Sequence, residues 1–241
     1  MDVKTKKAPG LLVSVRDEHE AQIVDQVGVD ILDIKEPDEG ALGRASTDVV
    51  SRILTVVSDT TQVSAAFGEV EDCEAFLDQG VLPDRLAFAK CGMARTAFAS
   101  WQKRIESIWT TFRQFDCEPV AVAYADHTLA FAPKPREILD WAIEHRVRYF
   151  LIDTFEKRLT SLFDSLLEDE LVGLLSTANK HGMKTVLAGS IRVNHLESAV
   201  RITPDFIGVR GAVCDGDRNG KIESKCVEEF KELLLNKASS C

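Results

Sequence analysis

Short apolar runs alternate with longer amphipathic stretches along most of the chain. Eight runs have the length and composition of buried strands, and each is followed by a turn of small or acidic residues. The runs are LLVSV (11–15), DILDIK (30–35), QVSAAFG (62–68), RLAFAK (85–90), PVAVAYAD (119–126), YFLIDT (149–154), KTVLAGS (184–190) and DFIGVRG (205–211). Stretches with helical spacing, such as EAQIVDQV, TDVVSRILTVV, PREILDWAIEH and VEEFKELLLNK, lie between them.

Eight alternations of strand and helix in 241 residues predict an α/β fold, a single-domain (β/α)8 TIM barrel. An open, doubly wound sheet is the main alternative. No low-complexity linker and no shift in composition divides the chain. We therefore predict one domain over residues 1–241, with a short N-terminal extension at 1–9.

The second predicted strand carries two charged residues where it ends. Side chains two apart on a strand share a face, so Asp33 and Lys35 point to one side while Leu32 and Ile34 point to the other. An ammonium removed from water needs an ion pair or a chemical use. The position of Lys35 alone does not decide between an ion pair and a chemical role, because ion pairs at strand ends are common.

Polar residues end most of the other predicted strands as well. In a TIM barrel the carboxyl ends of the strands meet at one mouth, where active sites lie. The residues at those ends are Asp33 and Lys35, Lys90, Tyr124 and Asp126, Asp153, Gly189 and Ser190, and Arg210 and Gly211. Lys157 follows Asp153 by four residues and reaches the same mouth. This convergence favours a catalytic site over a set of isolated ion pairs. The residues that we expect to bind the substrate or its phosphate are Gly189, Ser190, Arg210, Gly211, Tyr124 and Asp126.

The residue types at this mouth suit Schiff-base chemistry. A lysine held near other cations in a partly desolvated site has a lowered pKa, so its neutral amine can attack a carbonyl near pH 7. Neighbouring aspartates can shuttle protons, and a second lysine can steady a phosphate. The stretches AGSIR and GVRGA offer backbone amides and an arginine, which suits a phosphate group. Ordinary turn geometry is the alternative explanation for their glycines.

The composition of the chain limits the kinds of molecule that we expect it to bind. The chain is 45% hydrophobic and 28% charged, with a formal net charge of −10, which argues against non-specific binding of nucleic acid or acidic membranes. The start, MDVKTKKAPG, lacks a signal-peptide core, and no apolar run reaches the roughly 18 residues of a membrane span. We expect a cytoplasmic protein. We also expect a homo-oligomer, because barrels of this size commonly self-associate.

Cysteine and histidine positions give weaker signals. Six cysteines occur without a C-x-x-C pair, so reduced thiols are expected. Cys91, beside Lys90, is either a nucleophile with a lowered pKa or a small buried side chain. The five histidines show no metal-ligand spacing, although His127 suits a proton relay next to Asp126.

No motif predicts a metal or an organic cofactor. The segment DGDRNG (215–220) begins like a calcium loop, but Cys226 stands where the bidentate glutamate is needed. Neither a dinucleotide fingerprint nor a P-loop occurs.

Seven segments, in order, carry a resemblance to a known family. They are LLVSV, DILDIKEPDEGALG, FAKCG, AYAD, LIDTFEK, LAGSI and GVRGAVCDGDRNGKI. Together they resemble the (5-formylfuran-3-yl)methyl phosphate synthases, the furan-forming enzymes of methanofuran biosynthesis. The likeness runs from about residue 10 to about residue 235, and the combination of Asp-x-Lys-x-Pro with Gly-Val-Arg-Gly-Ala is its most specific part.

The resemblance implies a fold, a reaction and a set of roles. It implies a (β/α)8 barrel that condenses two molecules of glyceraldehyde 3-phosphate, a lyase-type reaction without an organic cofactor that releases phosphate and water. It also implies a Schiff-base lysine at Lys35, with Asp33, Lys90, Asp153 and Lys157 around it. Two alternatives stay open: a class I aldolase that stops after carbon–carbon bond formation, and a barrel that binds a phosphorylated metabolite without turnover.

Overall fold

Eight parallel strands form the centre of the protein. The computed structural model describes residues 8–79, 82–97, 100–158 and 160–239. The strands pair in chain order, and the first also pairs with the last, so the sheet closes on itself. They are β1 (Gly10–Val15), β2 (Ile31–Ile34), β3 (Gln62–Glu69), β4 (Phe88–Gly92), β5 (Glu118–Tyr124), β6 (Tyr149–Asp153), β7 (Lys184–Leu187) and β8 (Phe206–Val209). This closure confirms the predicted barrel and excludes the open sheet. Residues 1–7 of the predicted N-terminal extension lie outside the described residues.

Helices connect the strands around the outside of the barrel. They are α1 (Glu18–Val27), α2 (Thr47–Val56), α3 (Val70–Leu77), α4 (Trp101–Gln114), α5 (His127–Ala130), α6 (Pro135–Glu144), α7 (Leu162–Ser165), α8 (Glu168–Lys180), α9 (Leu196–Arg201) and α10 (Ser224–Ser239). Short 3-10 turns occupy Pro37–Glu39 and Val193–His195. The Asp17 side chain caps α1 by accepting a hydrogen bond from the amide of Glu20, 2.9 Å away. Of the helices described, none is long and apolar enough to cross a membrane.

Alternation along the strands separates two apolar layers. On β2, Leu32 and Ile34 point outward and pack in the large core between the strands and the helices. Ile31 points inward, where it joins a smaller cluster that fills the barrel interior. Other members of that inner cluster are Leu12, Ala66, Phe88, Val120, Val122, Leu151 and Val186. This apolar plug closes the barrel below the strand ends, so the polar residues further along each strand form the lining of a cavity with an apolar floor.

Candidate active site

A cavity of about 600 Å³ opens at the carboxyl ends of the strands. Its size is within the usual range of small-molecule sites. Its lining includes every residue predicted to be catalytic, namely Asp33, Lys35, Lys90, Asp153 and Lys157, together with Gly189, Ser190, Arg210 and Gly211. Seven lysine or arginine side chains line it against five carboxylates. The cavity is therefore positive in a chain of negative net charge, which suits an anionic ligand.

Asp33 is held from three sides within the barrel. It accepts hydrogen bonds from the hydroxyls of Ser14 at 2.8 Å and Ser64 at 2.5 Å, and its carboxylate lies 2.7 Å from the Lys90 ammonium. The strand register explains the serines, because Ser14 and Ser64 are the neighbours of Asp33 on β1 and β3. Asp33 is thus paired with Lys90, and the ion pair with Lys35 that the sequence left open does not form.

A second lysine and aspartate pair lies on the opposite wall. The Lys157 ammonium donates a hydrogen bond to Asp153, and the backbone amide of Thr154 donates to the same oxygen at 2.8 Å. Burial opposes ionisation of Asp153, but Lys157 and Lys35 outweigh it and hold the pKa of that carboxyl below its ordinary value. Burial also lowers the pKa of Lys157, against the attraction of Asp153. The two side chains therefore form an ion pair in the wall of the cavity.

Lys35 lies between these two pairs without a close partner of its own. Its backbone amide continues the sheet by donating to the carbonyl of Val15 at 3.0 Å, and its side chain points into the cavity. Within the described parts of the chain, no carboxylate oxygen lies within 4.0 Å of its ammonium. Burial lowers the pKa of Lys35 to about 7, with Asp153 opposing and Lys157 assisting. A substantial fraction of its amine is neutral at physiological pH.

Backbone amides line one side of the mouth. Gly189 and Ser190 both adopt left-handed conformations, with φ of 101° and 52°. This turn leaves the amides of Ser190 and Ile191 without an acceptor in the described residues, and the same holds for Gly211 after β8. The Ser190 hydroxyl donates to the carbonyl of Lys157 at 3.2 Å, which joins the loops after β6 and β7. Amides presented in this way suit a phosphate group.

The Arg210 guanidinium is fully hydrogen-bonded within the protein. It has five N–H donors, and all five have acceptors within the protein. They are Glu20, which takes two bonds at 2.7 and 3.2 Å, and the carbonyls of Ser14, Arg218 and Gly220. Arg210 and Glu20 form a buried ion pair. Because these bonds occupy all of its donors, Arg210 has none left to offer to a phosphate group in this structure.

Tyr124 and Asp126 are not among the described residues that line the cavity. The Tyr124 hydroxyl donates to Glu69 at 2.6 Å in a buried pair, and burial raises the pKa of both groups. The Asp126 carboxylate accepts from the amides of Phe155 and Glu156, at 2.7 and 2.8 Å. The sequence predicted direct substrate contact for both residues. In the structure both side chains bond to other residues of the protein, and Asp126 holds the loop that carries Lys157.

Cys91 and His127, the other candidates from the sequence, are not among the described residues that line the cavity. Cys91 is buried, as the second reading of its position predicted, and its hydrogen bond with Cys73 and its burial raise the pKa of its thiol well above the ordinary range. The ring nitrogen Nδ1 of His127 is buried and has no hydrogen-bond partner among the described residues. No three His, Cys, Asp or Glu side chains of the described residues are grouped to hold a metal ion.

Sequence reasoning missed the residues that support the charged groups. Ser14 and Ser64 face inward, and the alternation on β1 and β3 would have marked both as polar positions in an apolar plug. Glu20 carried no such signal, because a glutamate in the first turn of a helix is ordinary at the surface. Arg218 lies in a segment that begins like a calcium loop and that also carries part of the family resemblance, and neither feature singles out this arginine.

A closed parallel barrel with lysines and aspartates gathered at its strand ends defines a (β/α)8 barrel protein with a positively charged, lysine-rich cavity. The sequence profile described as 4-HFC-P synthase matches residues 11–231. The chain therefore belongs to the 4-HFC-P synthase family.

Curated relatives extend over nearly the whole chain. A protein named (5-formylfuran-3-yl)methyl phosphate synthase from Methanothermobacter thermautotrophicus is 33% identical over 93% of this chain and 98% of its own. One of the same name from Methanopyrus kandleri is 33% identical over 94% of this chain and 99% of its own. Among solved structures, phosphoribosyl anthranilate isomerase from Thermus thermophilus aligns with a TM-score of 0.62 at 11% identity, over 94% of this chain and 98% of that one. That likeness concerns the fold.

Proposed function

We propose that this protein condenses two molecules of glyceraldehyde 3-phosphate into (5-formylfuran-3-yl)methyl phosphate, as a step in the formation of a methanofuran-type coenzyme. The atoms balance when one phosphate and two waters leave. The names of the curated relatives and the lysine-rich cavity support this reaction. In this proposal the enzyme is a lyase that uses no organic cofactor.

One observation carries the assignment of the nucleophile. Three buried lysines line the cavity, and two of them are paired with aspartates: Lys90 with Asp33, and Lys157 with Asp153. Lys35 alone of the three has no carboxylate within ion-pairing distance in the described residues, and its pKa is lowered to about 7. A paired ammonium is stabilised in its charged form, whereas an unpaired buried one loses its proton more readily. Lys35 is therefore the amine that attacks the substrate aldehyde.

The attack forms a carbon–nitrogen bond and then an iminium. The Lys35 nitrogen adds to the aldehyde carbon and loses a proton while the carbonyl oxygen gains one, which gives a carbinolamine. Its hydroxyl is then protonated and leaves as water, and the nitrogen lone pair forms the C=N bond of the iminium. The Lys157 and Asp153 pair lies close enough to Lys35 to affect its pKa, and it offers a proton donor and a proton acceptor for these transfers. Asp33, fixed by its three partners, keeps Lys90 in place as a cationic group beside the developing charges.

Substrate phosphate binds at the loops after β7 and β8 in this proposal. The free amides of Ser190, Ile191 and Gly211 provide directed donors, and the excess of cationic side chains provides charge. Glyceraldehyde 3-phosphate carries both a phosphate for these donors and an aldehyde for Lys35.

Product analysis tests the reaction. The protein is incubated with glyceraldehyde 3-phosphate, with unphosphorylated glyceraldehyde as the control substrate. We expect release of inorganic phosphate together with the ultraviolet absorbance of a furaldehyde, both only with the phosphorylated substrate. A non-aromatic sugar phosphate formed without phosphate release would instead indicate an aldolase. Absence of any product would refute the proposal.

The proposed nucleophile also predicts a pH dependence. Because the reactive form is the neutral amine, the rate of iminium formation should rise with pH up to about 7 and then level off. Well below that value it should fall about tenfold for each pH unit. The measurement is the rate of borohydride-trapped adduct between pH 5 and 9. A rate that keeps rising to pH 9 would show that the attacking lysine has its ordinary pKa.

A further inference from the structure

The segment DGDRNG belongs to a hairpin that lies at the opening of the cavity. We call residues 214–222 the mouth hairpin. Cys214 and Ile222 form an isolated antiparallel bridge at its base, and the Asp215 amide donates to the carbonyl of Lys221 at 2.8 Å. The three residues at its tip, Asp217, Arg218 and Asn219, line the cavity. A segment that looked like a metal loop in sequence is thus a part of the site wall.

Hydrogen bonds hold the mouth hairpin against the barrel and against the loop after β2. From the barrel, Arg210 donates to the carbonyl of Arg218 at 2.6 Å. On the other side, Arg218 donates through Nη2 to the carbonyl of Gly40 at 2.9 Å, and Asn219 donates to Asp38 at 2.9 Å. Asp38 is itself paired with Arg16. The tip is therefore held next to the loop that begins directly after Lys35.

The Arg218 guanidinium is a cation without a matching anion. It is half-buried, and burial lowers its pKa despite the attraction of Asp153, yet a guanidinium stays charged at any working pH. No carboxylate of the described residues lies within ion-pairing distance of it, and one of its five N–H donors has an acceptor there. Arg210, only eight residues earlier, has all five donors occupied. A partly desolvated arginine with free donors in a cavity is suited to an incoming oxyanion.

Arg218 also lies beside the amide group that the proposed phosphate site uses. A Cβ atom on Gly211 would lie 3.4 Å from the Arg218 backbone nitrogen, so the mouth hairpin packs directly on the Gly211 turn. The free Gly211 amide and the free Arg218 donors are therefore presented to the same end of the cavity.

We propose that Arg218 binds the phosphate group of a phosphorylated substrate, and that Arg210 and Asn219 act as positioning residues that hold the mouth hairpin over it. This inference rests on the proposed function for the identity of the substrate, but the ligand chemistry, a phosphomonoester, can be tested without turnover. Of the two arginines, Arg218 has N–H donors left for a phosphate group, whereas all five donors of Arg210 are occupied.

Binding of a non-reactive ligand tests the role of Arg218. sn-Glycerol 3-phosphate carries a phosphomonoester but no carbonyl, so it cannot form an iminium with Lys35. Calorimetry on the full chain should show binding of this compound and of inorganic phosphate, but not of glycerol. Arg218→Gln should raise the Kd for glycerol 3-phosphate by about 10- to 100-fold, because charge-assisted hydrogen bonds to phosphate are lost. Arg218→Lys, which keeps the charge without the planar donor fork, should give an intermediate value.

Controls separate this inference from other effects. Arg201→Gln makes the same chemical change on the outer surface, where Arg201 pairs with Glu168, and should leave the Kd unchanged. An Arg218→Gln protein that binds glycerol 3-phosphate as tightly as the wild type would overturn the assignment, as would a wild-type protein that binds neither phosphate compound. If binding depends on Arg218 but glyceraldehyde 3-phosphate gives no product, the phosphate site stands and the proposed reaction fails.

Discussion

Replacing Lys35 with arginine is expected to lower kcat/KM for glyceraldehyde 3-phosphate by about a thousandfold or more. Arginine keeps the positive charge at this position, but its guanidinium stays protonated and cannot act as the nucleophile. Initial rates of phosphate release, measured over a range of substrate concentrations, give the ratio. The size of the effect follows from the chemistry, since no other amine replaces the covalent bond that Lys35 forms.

A matched substitution at the opposite end of the barrel controls for this prediction. Lys184 begins β7 and pairs with Asp205 at the surface, so Lys184→Arg makes the same change far from the cavity. It should leave kcat/KM within about twofold, as expected for a surface substitution. Lys157→Ala should slow turnover by a different route, since it removes a proton donor and leaves Lys35 in place. If Lys35→Arg retained a tenth of the activity, Lys35 would not be the nucleophile.

Replacing Glu20 with alanine is expected to lower the free energy of unfolding by about 3–5 kcal/mol. The substitution leaves the Arg210 guanidinium buried without its carboxylate, because Arg210 and Glu20 are each only 3% exposed in their side chains. Loss of one partner of a buried pair is more harmful than loss of a surface pair, since the remaining charge cannot return to water. Urea unfolding at pH 7 measures the change.

The surface pair of Arg201 and Glu168 provides the control for that prediction. It also joins an arginine to a glutamate by two hydrogen bonds, at 2.8 and 3.2 Å, but both side chains are exposed. Glu168→Ala should therefore change stability by no more than about 1 kcal/mol. Equal losses in the free energy of unfolding of the two variants would show that the buried pair stabilises the protein no more than the surface pair does. A folded Glu20→Ala protein should also bind phosphate more weakly, since Arg210 fastens the mouth hairpin.

The sequence was sufficient to predict the inward-facing charges. Asp33, Lys90 and Asp153 lie where strand alternation puts them, and parallel strands bring their carboxyl ends to one mouth. Lys157 was predicted at the same mouth from its spacing to Asp153, and the hydrogen bond between the two confirms the position. These predictions succeeded because they depend on backbone periodicity, which is local.

The same reasoning could not predict which charged side chains pair with each other. Alternation says that Arg210 faces inward, but not that Glu20, which lies 190 residues earlier, takes up its charge. Likewise, Asp33 on β2 pairs with Lys90 on β4 rather than with its neighbour Lys35. Such pairings depend on how distant strands and helices meet, and one sequence without that arrangement leaves several partners equally available.

Trapping of the covalent intermediate tests the central claim most directly. Sodium borohydride, added while the protein turns over glyceraldehyde 3-phosphate, reduces an iminium to a stable secondary amine, and mass mapping of peptides then locates it. We predict the adduct on the peptide that contains Asp33 and Lys35, and its absence from the Lys35→Arg protein. An adduct on Lys90 or Lys157, together with undiminished trapping by the Lys35→Arg protein, would contradict the assignment of Lys35 as the nucleophile.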